Sequence, residues 1–150
     1  MFLIINLISL KKIYISSDHA GFKLKEQIKL HLSKKKISFV DMGPQNEDRV
    51  DYPDYAHKLS KIIEKKRDVI GILICGSGQG MIMAANKHKN IRAALCYNAK
   101  STKLSRLHND ANIITLGSRL LTKKTALSCV SVFLNTKFEG GRHSKRIKKI

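Results

Sequence analysis

Val69-Ile70-Gly71-Ile72-Leu73-Ile74-Cys75-Gly76-Ser77-Gly78-Gln79-Gly80 is the stretch that decides the fold. Residues 69 to 74 carry no polar side chain, and the run is too short for a buried helix. It reads as a strand covered on both faces, which is the condition of a strand inside a parallel sheet. The glycines at 76, 78 and 80 then let the backbone turn sharply and aim N–H groups at one point, at the start of a helix expected over Met81 to Lys87. Such a turn suits an anion, and its positive end favours thiolate at Cys75. Taken alone, the segment fits a buried cysteine followed by a flexible turn equally well.

Outward from this strand, further apolar, β-branched runs occur at Ile13 to Ile15, Ile37 to Val40, Ile91 to Tyr97 and Ile113 to Leu116. Helical spacing fills the gaps: Leu24, Ile28 and Leu32 lie four apart, as do Leu59 and Ile63, and Leu127, Val130 and Leu134 continue the pattern. Five strands alternating with helices define an α/β protein with a five-stranded parallel sheet. The long polar connection Gly43 to Pro53 precedes a helix expected to begin near Asp54. Ligands of open parallel sheets bind beyond the carboxyl ends of the strands. Chemistry-bearing residues gather at Ser17-Asp18-His19-Ala20-Gly21, at the Cys75 turn, and at Arg106-Leu107-His108-Asn109-Asp110, the last following the fourth helix.

The chain of 150 residues matches one ordinary domain, expected over 11–150. Met1 to Leu10 is apolar but has no preceding basic residue, no small-residue cleavage site and half a membrane span's length, so it reads as an N-terminal extension. Three cysteines, Cys75, Cys96 and Cys129, fit neither paired disulfides nor a CxxC zinc site, which points to a reduced, cytoplasmic setting. A formal charge of +18 raises the question of a polyanionic partner. The lysines, however, are spread along the chain. Lys34 to Lys36, Lys65 to Arg67 and Lys123 to Lys124 stand beside expected helix ends, where cations are ordinary solvated residues. Only nine Phe and Tyr are present, too few to interleave with basic residues as in a single-strand binder. A thiol-redox role lacks a second cysteine near Cys75. Rival loop motifs fail on spacing: GxGxG replaces the dinucleotide GxGxxG, no GK[ST] follows, and Met81 stands where a phosphatase-type loop carries Arg. His19 and His108, next to Asp18 and Asn109, can shuttle protons near neutral pH; His31, His57 and His88 read as ordinary surface residues.

Together with Asp51-Tyr52-Pro53, Ala84-Ala85-Asn86-Lys87, Leu104-Ser105 before Arg106, and Glu139-Gly140-Gly141-Arg142-His143, these segments resemble the type B ribose-5-phosphate isomerases, a family that also holds the lactose-pathway galactose-6-phosphate isomerase subunits. The resemblance runs from about Lys11 to Arg146. It implies a Rossmann-like three-layer α/β/α sandwich, a homodimer or dimer of dimers, and cofactor-free, metal-free interconversion of ribose 5-phosphate and ribulose 5-phosphate. It also assigns roles. Cys75 matches the base that moves the proton between C1 and C2, and Ser77 stands near the substrate oxygens. The amides of Gly76, Gly78 and Gly80 would stabilise the enediolate. His108 matches the ring-opening residue, assisted by Asp18. Tyr52 lines the sugar site, Asn109 contacts substrate oxygens, and His19, Arg119, Arg142 and Arg146 match phosphate contacts. The resemblance further implies that His108 and the tail arginines reach the Cys75 site of a partner chain. Allose or galactose 6-phosphate is the alternative substrate; retention of both Cys75 and His108 favours the pentose. The first ten residues have no family counterpart, and the family's last helix usually runs beyond the equivalent of Ile150.

Overall fold

The computed structural model describes residues 11–150, so the expected extension over Met1 to Leu10 lies outside the described residues. The order of elements is β1 (Lys12–Ser17), α1 (Phe22–Lys34), β2 (Phe39–Asp41), α2 (Tyr52–Ile63), β3 (Val69–Cys75), α3 (Gln79–Ala85), β4 (Ala93–Leu95), α4 (Ala99–Asn109), β5 (Ile113–Gly117), α5 (Lys123–Asn135) and α6 (Arg142–Ile147). The strands form one sheet in the order β2-β1-β3-β5-β4, every pair parallel.

All seven residues of β3 are buried, and their alternation divides the core in two. Ile70, Ile72 and Ile74 pack with Ile28 and Leu32 of α1 and with Val130 and Phe133 of α5. On the other face Val69, Leu73 and Cys75 pack with Ala56, Leu59 and Ile63 of α2 and with Met81 and Ala85 of α3. Gly71 belongs to this second face, where a side chain would press on Leu59 and Ile113. The result is the three-layer α/β/α sandwich expected from the run of apolar strands.

Both edge strands are shorter than their apolar runs, because other groups claim their amides. Ile37 donates its N–H to the Leu32 carbonyl and closes α1, aided by Lys36 at φ 58°, so β2 starts only at Phe39. At the other edge the Arg92 N–H goes to Asn112 Oδ1, and the side chain of Asn86 both donates to the Ala93 carbonyl and accepts from its N–H. This amide pairing finishes the outer edge of β4. α2 begins at Tyr52, two residues earlier than expected, since Pro53 in the first turn needs no hydrogen-bond partner for its nitrogen. Lys123 and Lys124 occupy the first turn of α5, not a carboxyl end, so they gain nothing from the helix dipole.

Candidate active site

The order β2-β1-β3-β5-β4 reverses direction between β1 and β3. The chain leaves β1 toward one edge and β3 toward the other, which opens a crevice past their carboxyl ends. Two of the chemistry-bearing segments converge there. Ser17 pairs with Ile74, and the Asp18 N–H donates to the Ile74 carbonyl at 3.1 Å, setting Asp18 beside Cys75. Asp18 is buried, and its Oδ1 accepts the Gly21 N–H at 2.9 Å. Gly21 must be glycine for this turn, because a Cβ would lie 2.5 Å from the Ile74 carbonyl oxygen.

Cys75 ends β3 with its side chain buried, and the Gly78 N–H donates to Cys75 Sγ at 3.1 Å. A donor aimed at sulfur complements the negative charge of a thiolate. Gly78 makes this possible by adopting φ 78°. α3 starts at Gln79 and has seven residues, so its dipole is small; the anion-binding capacity rests on the amides of the turn. The Gln79 N–H is taken by Ser77 Oγ at 3.3 Å, which orients that hydroxyl. Tyr52 covers the turn from α2: a Cβ on Gly80 would fall 2.4 Å from its ring. Arg119 covers it from β5, with Nη1 3.2 Å from where a Gly76 Cβ would sit. His19 reaches the long connection, where its Nδ1 lies 3.1 Å from the Val50 carbonyl and 3.3 Å from the Val50 nitrogen. Asp18, His19, Tyr52, Cys75, Gly76, Ser77, Gly78, Gly80 and Arg119 therefore share one end of the sheet.

The third segment is not at that end, although the sequence groups it with the other two. His108 and Asn109 lie in the last turn of α4, which leads into the first residue of β5, whereas Cys75 pairs with Gly117, the last. At about 3.3 Å per residue, four steps of strand separate the two levels by roughly 13 Å. The tail joins His108 and not Cys75. The Glu139 N–H donates to the Leu107 carbonyl, Gly140 and Gly141 turn the chain at φ 72° and 56°, and α6 then sets Arg142 and Arg146, both exposed, beside the end of α4. The ring of His143 stacks on that of His108 with centroids 4.3 Å apart, and His108 Nε2 lies 3.8 Å from Glu139 Oε2. Burial, with the neighbouring His108 and Arg142, holds His143 below the usual imidazole range. A single chain thus carries two separate clusters, one with the thiol and amide turn, the other with imidazole and guanidinium groups.

The sequence reading passed over several residues that lie beside these clusters. Gly117 lies against the backbone of Ser77, where a Cβ would sit 2.6 Å from its carbonyl oxygen, and Ser118 Oγ donates to the Ala20 carbonyl at 2.8 Å. Gly117 is the last residue of β5 and Ser118 the next, so both could have been found by asking what ends that strand. Glu139 and His143 stand in a recognised motif without a role assigned to them. The other histidines are not simple surface residues either. His57 Nδ1 and His88 Nε2 are 2.7 Å apart, His88 Nδ1 is 3.5 Å from Glu64, and His31 Nε2 is 2.9 Å from Ser131 Oγ.

A buried thiol and a glycine turn stand at the switch point of a parallel sheet, and imidazole and guanidinium groups stand at its far end. The chain belongs to the ribose/galactose isomerase family, whose model matches residues 13–150. It is similar to a probable ribose-5-phosphate isomerase B of Mycoplasma pneumoniae, with 47% identity over 92% of this chain and 91% of the relative. Among solved structures it resembles ribose 5-phosphate isomerase B of Thermotoga maritima, with TM-score 0.89 and 48% identity, covering 92% of this chain and 95% of that one. It also resembles the Mycoplasma genitalium enzyme solved with bound ribulose-5-phosphate, with TM-score 0.88, 44% identity and 92% coverage of both chains. The protein is an isomerase. Among the described residues no helix is long and apolar enough to cross a membrane.

Proposed function

We propose that this isomerase interconverts ribose 5-phosphate and ribulose 5-phosphate through an enediolate, with Cys75 moving the proton between C2 and C1. The observation that carries the assignment is the Gly78 N–H aimed at Cys75 Sγ within a turn of converging amides. Abstraction of a proton next to a carbonyl needs a base and donors directed at the developing oxyanion, and one such donor contributes about 3 kcal/mol. The amides of Gly76, Gly78 and Gly80 line that position, and Ser77 serves the O1 and O2 oxygens. Ribulose-5-phosphate bound to the Mycoplasma genitalium relative supports the pentose over longer sugars.

The reaction begins with the furanose. His108 donates a proton to the ring oxygen as its bond to C1 breaks, and Asp18 receives the proton of the C1 hydroxyl. Cys75 thiolate then removes the C2 proton, which leaves an enediolate with its charge on O1 against the amide turn; the O2 hydroxyl proton passes to O1, and as C2=O forms Cys75 returns its proton to C1. Tyr52 and Asn109 hold the sugar. The phosphate dianion falls to His19, Arg119, Arg142 and Arg146, since guanidinium groups bind it bidentately.

The roughly 13 Å separation of the levels of Cys75 and His108 supports a site shared across a twofold homodimer, each chain lending its His108 corner to the other's Cys75 turn. Residues 11–150 act as the catalytic unit, and three free cysteines suit a reducing cytoplasm. Complementation tests this reading. Cys75→Ala and His108→Ala are each inactive on cyclic substrate. After the two are unfolded together and refolded, about half the dimers are mixed and hold one intact site, giving roughly a quarter of wild-type activity. Heterodimers confirmed by mass that show no recovered activity refute the shared site. Preference for an aldose 6-phosphate over ribose 5-phosphate in a substrate panel refutes the pentose assignment.

A further inference from the structure

The corner that carries His108 holds more than the proposed reaction uses. His108, Glu139 and His143 each present a ligand atom within 4.8 Å of the other two. His143 is 5% exposed, and among the described residues its fully buried Nε2 has no hydrogen-bond partner. A buried imidazole nitrogen left unpaired is costly unless something engages that ring. Catalysis gives His143 no reacting atom, and the packing of the tail alone would be met by an apolar side chain.

We propose that His108, Glu139 and His143 form a site for a borderline divalent cation of the zinc type, and that filling it inhibits the enzyme by withdrawing His108 from the substrate. Two imidazoles and one carboxylate are a donor set that holds Zn²⁺ with its fourth position open, whereas Ca²⁺ and Mg²⁺ require mainly oxygen. Bonds of about 2.1 Å in a tetrahedron put ligand atoms roughly 3.4 Å apart, so the three must close by about 1.4 Å at most. The mobile members can supply that movement: the side chains of His108 and Glu139 are 36% and 54% exposed, while His143 is fixed. His108 has to tilt out of its near-parallel stack on His143, interplanar angle 17°, to share an ion with it. The backbone is already set by the Glu139 N–H bond to Leu107 and by the left-handed Gly140 and Gly141. Arg142 and Arg146 stand beside the site and oppose any cation, which restricts it to metals that bind imidazole strongly. Inhibition rests on the role proposed for His108; binding does not.

The test titrates the full-length, metal-free protein with Co²⁺, read by its visible d–d absorption, and with Zn²⁺, read by calorimetry, alongside isomerase rates with and without chelator. One ion per chain is expected, with four-coordinate cobalt bands and no thiolate charge-transfer band. Rates fall as Zn²⁺ binds and recover with chelator. Glu139→Gln, which alters an exposed side chain, keeps metal-free activity and loses more than about tenfold in affinity. His143→Phe, which preserves the stack and the volume, abolishes binding. No binding by the folded wild type overturns the site. A thiolate band, or zinc inhibition undiminished in Glu139→Gln and His143→Phe, places the metal on Cys75 and overturns it too. Metal bound at this corner without loss of rate overturns the inhibition, while leaving the isomerase assignment to stand on its own assays.

Discussion

Gly117→Ala separates the geometry of the amide turn from the stability of the fold. A Cβ at Gly117 would lie 2.6 Å from the Ser77 carbonyl oxygen and 2.7 Å from its carbonyl carbon. Ordinary contact begins near 3.4 Å, so the Ser77 backbone must retreat by about 0.8 Å, and with it the amides proposed to face the substrate oxygens. Displacement of about 1 Å in a positioned group can cost around 10²-fold, and this is the loss of kcat/KM expected. The fold is penalised as well, by about 1–3 kcal/mol for overpacking. Gly71→Ala supplies the control. Its Cβ meets Leu59 Cδ2 at 2.6 Å and Ile113 Cγ1 at 2.9 Å, a clash of similar depth against side chains of the α2 face. Both variants should melt lower, by about 2–4 °C per kcal/mol, at equal protein concentration. Steady-state rates of ketose formation per folded molecule should fall only for Gly117→Ala. Equal kcat/KM losses in the two variants, or a Gly117→Ala enzyme within about threefold of wild type, would refute the claim that Gly117 sets the turn.

Cys75→Ser keeps size and hydrogen bonding but has no thiolate near neutral pH, so kcat should drop by about 10²–10⁴-fold with the melting temperature nearly unchanged; activity within a few fold of wild type would assign the base elsewhere. Iodoacetamide should label Cys75 first and be slowed by substrate, because burial pushes Cys96 up to about 11 and also raises Cys129; peptide mapping by mass decides it. Asp41 gives a pH signature: burial raises its carboxyl, but hydrogen bonds from Lys25 and Lys29 outweigh burial and hold it below its ordinary value of 3.8. Its folded value being depressed, this stability is present above the ordinary carboxylate range and lost as pH falls through the lower, folded value. Asp41→Asn should therefore be less stable by about 3 kcal/mol at pH 7, since it leaves the fully buried Lys25 with Glu26 alone, and in acid denaturation curves the gap should narrow only below pH 3.8 and close as pH falls through the lower folded value.

The central strands were legible because burial on both faces leaves no freedom of composition: the reading of Val69 to Ile74 and of Ile113 to Leu116 needed nothing beyond their own residues. The edges were not, because the lengths of β2 and β4 depend on who takes the amides of Ile37 and Arg92, and Asn112 lies 20 residues from the amide it caps. The Cys75 turn was legible as chemistry, since glycine at alternate positions is costly unless the backbone needs it. Its dependence on Gly117 was not, because that contact joins different strands. Lys25 shows the same limit from the opposite side. A lysine in a helix reads as solvated, yet this one is fully buried between Asp41 and Glu26 and anchors α1 to the short edge strand.

Asp18 stands beyond a strand end of its own chain, whereas His108 lies at the opposite end of the sheet. The rule that ligands gather beyond strand ends holds for one chain, and the His108 corner obeys it only if the strand ends belong to another. The shared site proposed above then has a thermodynamic consequence. A sugar phosphate that bridges the Cys75 turn of one chain and the arginines of the next binds only the assembled form, and so shifts association by RT ln(1 + [L]/Kd) for each site filled. At a hundredfold excess over Kd this is about 2.7 kcal/mol per site, and a twofold dimer has two. In the proposed dimer, substrate would thereby stabilise the assembly that turns it over. Arg142 and Arg146, exposed in the isolated chain, would meet a phosphate lodged beside the partner's own phosphate-binding side chains, with its glycine turn at the other end of the sugar.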